Sequence, residues 1–167
     1  TGYMEWVLGG LRSKSIMHVV TEADTATGAI LAANRYNTAL EGKVAFFDAD
    51  DGNRNYTTDR SEFIGRNGTL AEPEAMKRAR LSGKTGAALD PCAAIQISID
   101  LGDGEEKEII FRLGAGRDKE DALAMVRKFE GKQPAKDALE DVKNYWQKTL
   151  TNIHVKTPDE NINFLCN

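Results

Sequence analysis

Residues 93–101 read AAIQISIDL, and from Ile95 onward apolar and polar side chains alternate strictly. The three isoleucines of this run would share one face of a strand, because successive strand side chains point to opposite faces. The run therefore predicts a half-buried strand. The turn residues Gly102–Asp103–Gly104 follow it, and we expect Lys107–Leu113 to return as its hairpin partner.

Four shorter runs toward the N-terminus also predict strands, since each is apolar or alternating and is bounded by turn-forming residues. They are Tyr3–Leu8, Ile16–Thr21, Ala29–Ala33 and Lys43–Asp48. Short strands at this spacing are typical of an antiparallel sandwich. The stretch from Asn53 to Pro91 is less regular, and irregular excursions of this length inside a domain are usually functional or interfacial.

The last third of the chain is predicted to be helical. Asp118 is an expected N-cap, and an apolar stripe at helical spacing follows it. This stripe is Ala122, Met125, Val126 and Phe129. Gly131 ends the helix, and Pro134 opens a second one. The expected inner face of that helix is Leu139, Val142, Trp146 and Leu150. Thr157–Pro158–Asp159 indicates the start of a third helix.

Composition limits the classes of function. The 167 residues suffice for one domain with a real core. A net charge of −4 disfavours broad nucleic-acid binding, which needs a basic face. Cys92 and Cys166 are expected to be reduced thiols, and the few scattered histidines and cysteines predict no metal site. No run approaches a membrane span, so this segment is expected to make no membrane contact. Both ends interrupt apolar patterns, and we expect a segment of a larger protein.

Three possible sites are better interpreted as ordinary structure. Gly114–Ala115–Gly116 joins a strand to a helix but lacks the third glycine of a dinucleotide-binding turn. Asp48–Asn53 has the acids of a calcium loop but not its register. His18 and His154 each lie between apolar neighbours, so both are expected to be satisfied core residues rather than catalysts.

The run Asp59–Gly68, DRSEFIGRNG, is the most informative polar stretch. It places two arginines and two acids around one aromatic residue, and such side chains can hydrogen-bond sugar hydroxyls or a phosphate. The alternative is a surface turn anchored in the core by Phe63. From residue types alone, the surface turn is the favoured interpretation.

Several motifs, in order, give the chain a family resemblance. They are Tyr3–Gly9, His18–Glu22, Asp59–Gly68, Leu81–Gly83, Gly86–Ala94, Phe111–Gly114, Trp146 and Val155–Asp159. Together they resemble the glycoside phosphorylases of glycoside hydrolase family 94, formerly glycosyltransferase family 36. The similarity is greatest to the C-terminal phosphorylase-like region of cyclic β-1,2-glucan synthases, and it covers essentially the whole chain.

The resemblance implies a mainly β chain with C-terminal helices. It would consist of a partial super-sandwich over residues 1–116, a helical linker over 117–156 and the truncated start of an (α/α)6 barrel over 157–167. The parent would be an inverting glycoside phosphorylase or glycosyltransferase, in which phosphate attacks a β-glucoside. Its general acid and main phosphate ligands would lie in the barrel, so no catalytic residue is expected here and this segment alone should be inactive.

The resemblance also implies candidate contacts. Arg60 is expected to bind sugar or phosphate, with Glu62 and Arg66 as secondary candidates. No cofactor is expected, and inorganic phosphate would be a co-substrate of the parent. The expected partners are a β-glucan oligosaccharide bound through the parent, the chain's own barrel and a second copy in a homodimer. A cytoplasmic location is expected, and attachment of the parent to the bacterial inner membrane through other regions is left open.

Two other functions remain open at this point. The chain could be a free-standing, non-catalytic carbohydrate-binding sandwich, with Trp6, Tyr36 or Tyr56 stacking on sugar rings. It could also be a small interaction domain with no link to sugars.

Overall fold

Seven strands form two antiparallel sheets in the computed structural model, which describes residues 1–167. Sheet A has the order β1 (Gly2–Glu5), β6 (Pro91–Ile97), β5 (Arg54–Asp59). Sheet B has the order β2 (Val19–Ala23), β3 (Ile30–Asn34), β4 (Val44–Ala49), β7 (Phe111–Gly116). The helices are α1 (Arg12–Ser15), α2 (Arg60–Phe63), α3 (Lys119–Lys128), α4 (Lys132–Leu150) and α5 (Glu160–Cys166). Short 3-10 turns cover Ile16–His18, Thr38–Leu40 and Glu74–Lys77.

The main core lies between the two sheets. Ile30 and Phe47 from sheet B pack in one cluster with Ile95 from sheet A and with Trp6, which follows β1. Each large apolar side chain buried in this way contributes roughly 1.5–3 kcal/mol. The predicted antiparallel sandwich with C-terminal helices is therefore confirmed.

Each sheet is also covered on its outer face. On sheet B, Leu31 and Phe46 pack against α3 through Leu123 and Val126. On sheet A, the irregular segment between β5 and β6 buries Phe63, Ile64, Ala75 and Leu81 against Ala94. The stretch that looked irregular in the sequence is thus held by four apolar anchors, of which Phe63 was predicted.

The predicted hairpin of Ala94–Leu101 with Lys107–Leu113 is wrong. β6 ends at Ile97 and pairs with β1 and β5. β7 pairs with β4 in the other sheet, where Leu113 lies opposite Phe47. Residues 98–110 are the exposed connection that crosses from sheet A to sheet B, and they leave Ile99 on the surface. Alternation correctly predicted which side chains of β6 face the core, but it carries no information about the pairing partner.

A buried ionic cluster fastens the two sheets and α3 together. Asp48 on β4 is fully buried, and its carboxylate lies 2.5 Å from Nη1 of Arg54 on β5. The other carboxylate oxygen contacts Nη2 of Arg112 on β7. Arg112 Nη1 also donates to the carbonyl oxygen of Val126 in α3, at 3.0 Å. Each carboxylate oxygen of Asp48 therefore contacts one guanidinium group. This agrees with the interpretation that Asp48–Asn53 is not a calcium loop.

Gly116 allows α3 to approach the end of β7. A Cβ added at this position would lie 2.4 Å from the backbone nitrogen of Ala122 and 2.8 Å from the carbonyl oxygen of Asp118. We expect Gly116→Ala to lower the free energy of unfolding by about 1–3 kcal/mol, because backbone atoms cannot rotate away from the added methyl group. Urea unfolding would measure this loss.

The control is Gly52→Ala, because an added Cβ there meets no atom within 4 Å. A compatible Gly→Ala change is neutral or stabilising by about 0.4–1 kcal/mol. Equal stabilities of the two variants would contradict this account of the β7–α3 contact.

The chain divides into two compact units, Thr1–Glu130 and Gly131–Asn167. The first contains both sheets together with α3. In the second, the side-chain amides of Asn163 and Asn167 hydrogen-bond to the backbone of Thr157 and Val155, respectively. The predicted stripe of α4 is more than half exposed at all four positions, Leu139, Val142, Trp146 and Leu150.

The predicted division of the chain into segments 1–116, 117–156 and 157–167 stays a prediction. None of the helices combines the length and apolar composition needed to cross a membrane.

Candidate functional site

The C-terminal ends of β1 and β5 meet the start of β6 at one end of sheet A. β1 and β5 both pair antiparallel with β6, with Glu5 opposite Cys92 and Asp59 opposite Pro91. The last residues of β1 and β5 and the residue that precedes β6 are therefore brought together. This places Arg60, the main candidate from the sequence, beside Glu5 and Asp90.

We call this group the arginine–carboxylate cluster; it consists of Tyr3, Glu5, Arg12, Arg60 and Asp90. Nε of Arg60 donates to Oε1 of Glu5 at 2.8 Å, and its Nη1 lies 3.8 Å from Oδ2 of Asp90. Nε of Arg12 lies 3.1 Å from Oε2 of Glu5, and its Nη2 donates to Oδ1 of Asp90. Each carboxylate thus contacts both arginines. The four charged side chains are each about one-third exposed.

The charges of the cluster stabilise one another. Burial disfavours the ionised form of Glu5, but hydrogen bonds from Tyr3 and Arg60 and the positive charge of Arg12 outweigh it and lower the pKa of Glu5. The hydrogen bond to Glu5 raises the pKa of Arg60. Burial, with the hydrogen bond to Glu5, raises the pKa of Tyr3, whose hydroxyl donates to Glu5 at 2.7 Å. These shifts favour the ionised carboxylate of Glu5 beside the charged guanidinium of Arg60.

Arg60 keeps donor capacity beyond these contacts. Its Nε is used by Glu5 and its Nη1 faces Asp90, whereas its Nη2 has no partner within the chain. The backbone amide of Arg60 donates to the carbonyl oxygen of Asp90 at 2.8 Å. Asp59 caps α2 by accepting from the backbone amide of Ser61 at 3.0 Å. The guanidinium is thus held in place with one edge available to an acceptor.

Glu62 lies outside this cluster and is fully occupied. Its Oε2 accepts from the hydroxyls of Thr57 at 2.5 Å and Ser82 at 2.6 Å, and its Oε1 accepts from the backbone amide of Ser82 at 2.8 Å. Burial opposes its ionisation, but these hydrogen bonds outweigh burial and lower the pKa of Glu62. In this structure Glu62 fastens the loop that carries Ser82 to β5.

Arg66 lies in a different place from both of the other candidates. It is exposed, makes no ion pair within the chain and lines a shallow hollow of about 450 Å³ with Glu72, Glu74 and Lys77. Gly65 has a φ of +90°, which turns the chain away after α2. The three candidate residues are therefore not assembled into a single site by this chain.

Sequence reasoning missed most of the cluster. Glu5, Arg12 and Asp90 were not singled out, and they lie far from Arg60 in the sequence. No spacing rule connects such positions. The available signal was indirect: Glu5 and Asp90 each lie in a motif of the family resemblance.

The three aromatic residues proposed for sugar stacking differ in how deeply they are buried. Trp6 is 2% exposed and lies in the main core, so its proposed role in stacking is wrong. Tyr56 is partly buried and packs against the same core. Tyr36 is 74% exposed.

The expectation that His18 is a core residue is also wrong, since His18 is partly exposed and stacks on Tyr36. His154 is likewise exposed rather than buried.

Comparison with known proteins gives a consistent result. The family model described as "Glycosyl hydrolase 94, supersandwich domain" matches residues 1–132. A cyclic beta-(1,2)-glucan synthase from Rhizobium meliloti is 34% identical over 167 residues, which is 99% of this chain and 6% of that protein. A cellobionic acid phosphorylase from Neurospora crassa is 28% identical over 167 residues, or 99% of this chain and 21% of that enzyme.

A third relative is a 3-O-beta-D-glucopyranosyl-beta-D-glucuronide phosphorylase from Paenibacillus borealis. It is 27% identical over 112 residues, which is 67% of this chain and 14% of the relative. The chain thus spans between 6% and 21% of the length of these curated relatives.

Proposed function

This chain belongs to the glycosyl hydrolase 94 supersandwich family, and on that premise we propose that it is a non-catalytic part of a β-glucan phosphorylase or cyclic β-1,2-glucan synthase. In this proposal the sandwich supports a catalytic (α/α)6 barrel supplied by the rest of the protein. It also contributes Arg60 to the edge of the sugar site. The observation that carries the proposal is the fixed guanidinium of Arg60 with its unpartnered Nη2.

The setting of Arg60 suits recognition of a sugar or of phosphate. A guanidinium whose other nitrogens are held by carboxylates loses little conformational freedom on binding, so its free N–H groups are preorganised. Both sugar hydroxyls and phosphate oxygens accept hydrogen bonds from arginine. The negative charges of Glu5 and Asp90 weaken the electrostatic attraction between Arg60 and free anions. Binding of a neutral sugar hydroxyl is therefore favoured over binding of a free anion.

The second unit supports a scaffolding role. The stripe of α4 contains four large apolar side chains that are more than half exposed, and such a stripe normally packs against another surface. We assign that surface to the barrel of the parent. Inorganic phosphate as co-substrate of the parent, a homodimer and a cytoplasmic location belong to the same proposal.

A free-standing carbohydrate-binding module is less well supported. That alternative relied on three aromatic side chains, and two of them, Trp6 and Tyr56, pack in or against the core. A module lacking the barrel would also leave the stripe of α4 uncovered.

Arg60→Ala in the longer protein tests the proposal. A charge-assisted hydrogen bond is worth about 1.5–3 kcal/mol, so we expect kcat/KM for phosphorolysis to fall roughly tenfold to a hundredfold. Arg80→Ala is the matched control, because Arg80 is an exposed arginine outside the cluster, and it should leave kcat/KM unchanged.

The isolated chain provides the second half of the test. Incubated with β-1,2-glucan and inorganic phosphate, the 167-residue chain should release no glucose 1-phosphate. Turnover by the chain alone would refute the non-catalytic assignment. Unchanged kinetics of the Arg60→Ala variant would remove Arg60 from the sugar site but leave the scaffolding role intact.

A further inference from the structure

A second surface feature is not used by the function proposed above. A cleft of about 450 Å³ lies between the segments Gly9–Ser15 and Asn34–Thr38, with His18 at its wall. We call it the Tyr36 cleft. Its volume falls within the range of pockets that hold small molecules.

Tyr36 provides a fixed aromatic surface in this cleft. Its ring stacks on that of His18 with centroids 4.1 Å apart and planes 13° apart, yet the residue remains 74% exposed. One face of the ring is therefore occupied, and much of the rest of the side chain is open to solvent. An aromatic side chain that is already held in one orientation loses little rotamer freedom when a ligand stacks on it.

The loop that carries Tyr36 is anchored by a buried amide. Asn34 is 4% exposed, and its Oδ1 accepts from the backbone amides of Tyr36 at 3.1 Å and Asn37 at 3.2 Å. Its Nδ2 donates to the carbonyl oxygen of Leu8 at 2.9 Å, which ties this loop to the opposite wall of the cleft. The two walls are thus fastened to each other before any ligand arrives.

Ser15 and Asn34 use their polar side-chain atoms within the chain, but three other residues of the cleft offer polar groups that have no partner. Oδ1 of Asn37 caps the following turn by accepting from Ala39, while its Nδ2 has no partner. The ammonium group of Lys14 and the hydroxyl of Thr38 also have no partner within the chain. No carboxylate and only one cationic side chain line the cleft. A phosphate site normally contains more positive charge than this cleft does. The polar groups that line the cleft are better suited to a neutral molecule with many hydroxyls.

From these observations we propose that the Tyr36 cleft is a saccharide-binding site that takes one glucosyl unit of a soluble β-glucan. The apolar C–H face of a pyranose would stack on the face of the Tyr36 ring that His18 leaves free, and its hydroxyls would accept from Asn37 and Lys14. The choice of a β-glucan rests on the function proposed above, whereas the choice of a saccharide rests on the cleft alone.

The cleft and the arginine–carboxylate cluster lie on two sides of one helical turn. Leu11 and Lys14 line the cleft, whereas Arg12 of the same turn contacts Glu5 and Asp90. A glucan chain held at the cleft would stay at a high local concentration near Arg60, because a second binding event on a tethered ligand is intramolecular.

Titration of the ¹⁵N-labelled 167-residue chain with a short linear β-1,2-linked glucose oligosaccharide tests this proposal by NMR. Saturable shifts are expected for the amides of Lys14, Tyr36 and Asn37. Tyr36→Ala should weaken binding about tenfold, equivalent to 1.4 kcal/mol, and Tyr36→Phe should change Kd by less than about twofold because it keeps the ring. Tyr36 is mostly exposed, so neither change should disturb the fold.

Shifts at the cleft separate this inference from the function proposed above, because they report on Tyr36 and Asn37 whether or not Arg60 contacts sugar. Arg80→Ala, which changes an exposed arginine outside the cleft and the cluster, is the control and should leave Kd unchanged. Equal affinity of the Tyr36→Ala variant, or an absence of shifts at Tyr36 with both β-1,2- and β-1,4-linked oligosaccharides, would overturn the cleft as a saccharide site. Shifts with the β-1,4-linked sugar alone would support the cleft and count against the proposed glucan.

Discussion

Asp48→Ala is expected to lower the free energy of unfolding by about 3–5 kcal/mol, because it removes the carboxylate shared by two largely buried guanidinium groups. Arg54 would retain hydrogen bonds to the carbonyl oxygens of Ala49 and Thr27, and Arg112 would retain its bond to Val126. Their positive charges, however, would be left uncompensated in a poorly solvated place. The loss would be measured by urea unfolding of the full chain, followed by circular dichroism.

The matched control is Glu22→Ala, which removes the acid of an exposed pair. Glu22 lies 2.9 Å from Lys119, and both side chains are about half exposed. Such a pair contributes about 0.2–1 kcal/mol. Asp48→Asn should fall between the two, since the amide oxygen still accepts a hydrogen bond but the charge is gone. If Asp48→Ala cost no more than Glu22→Ala, the buried ionic cluster would not hold the sheets and α3 together.

Trp6→Ala is expected to cost about 3–5 kcal/mol, because it opens a large cavity between the two sheets. Trp6 lies just after β1 and is nearly inaccessible to solvent. A role in sugar stacking at the surface would predict the opposite result, namely little loss of stability and weaker glucan binding. Chemical denaturation and the glucan titration can be carried out on the same sample, so the two roles are distinguished directly.

Trp6→Phe provides the comparison for this prediction. The indole N–H of Trp6 is buried without a hydrogen-bond partner, and an unsatisfied buried donor costs about 1–3 kcal/mol. Phenylalanine removes that donor while it keeps much of the aromatic volume. We therefore expect Trp6→Phe to be clearly more stable than Trp6→Ala, and similar losses for the two variants would contradict the packing role of the ring.

Local sequence patterns predicted the strands and helices of this fold better than they predicted which strands pair with each other. The alternation around Ile95 and the N-cap at Asp118 were both correct, because each depends on residues a few positions apart. The pairing of β7 with β4 rather than β6 depends on contacts between distant residues. β5 was missed because Thr57 and Thr58 are buried polar residues that break the apolar pattern expected of an interior strand.

The candidate site shows the same limit. The motif around Arg60 was recognisable in the sequence, but the cluster that holds Arg60 is built by strand pairing between distant segments. Glu62 and Arg66 were grouped with Arg60 because they are near in the sequence. In a helical turn, residues two apart point to different sides, so Glu62 turns inward to Thr57 and Ser82. The turn at Gly65 then carries Arg66 elsewhere.

The crossing connection over residues 98–110 offers a practical opportunity for labelling. Its far end is tied down where Asp50 and Ile110 exchange hydrogen bonds, whereas Gly102–Glu105 forms only a local exposed turn. Lengthening a flexible loop costs little, about 0.6 kcal/mol for each doubling of its length. An epitope or a fluorophore-binding peptide inserted at Gly104 would therefore label this domain without disturbing either sheet.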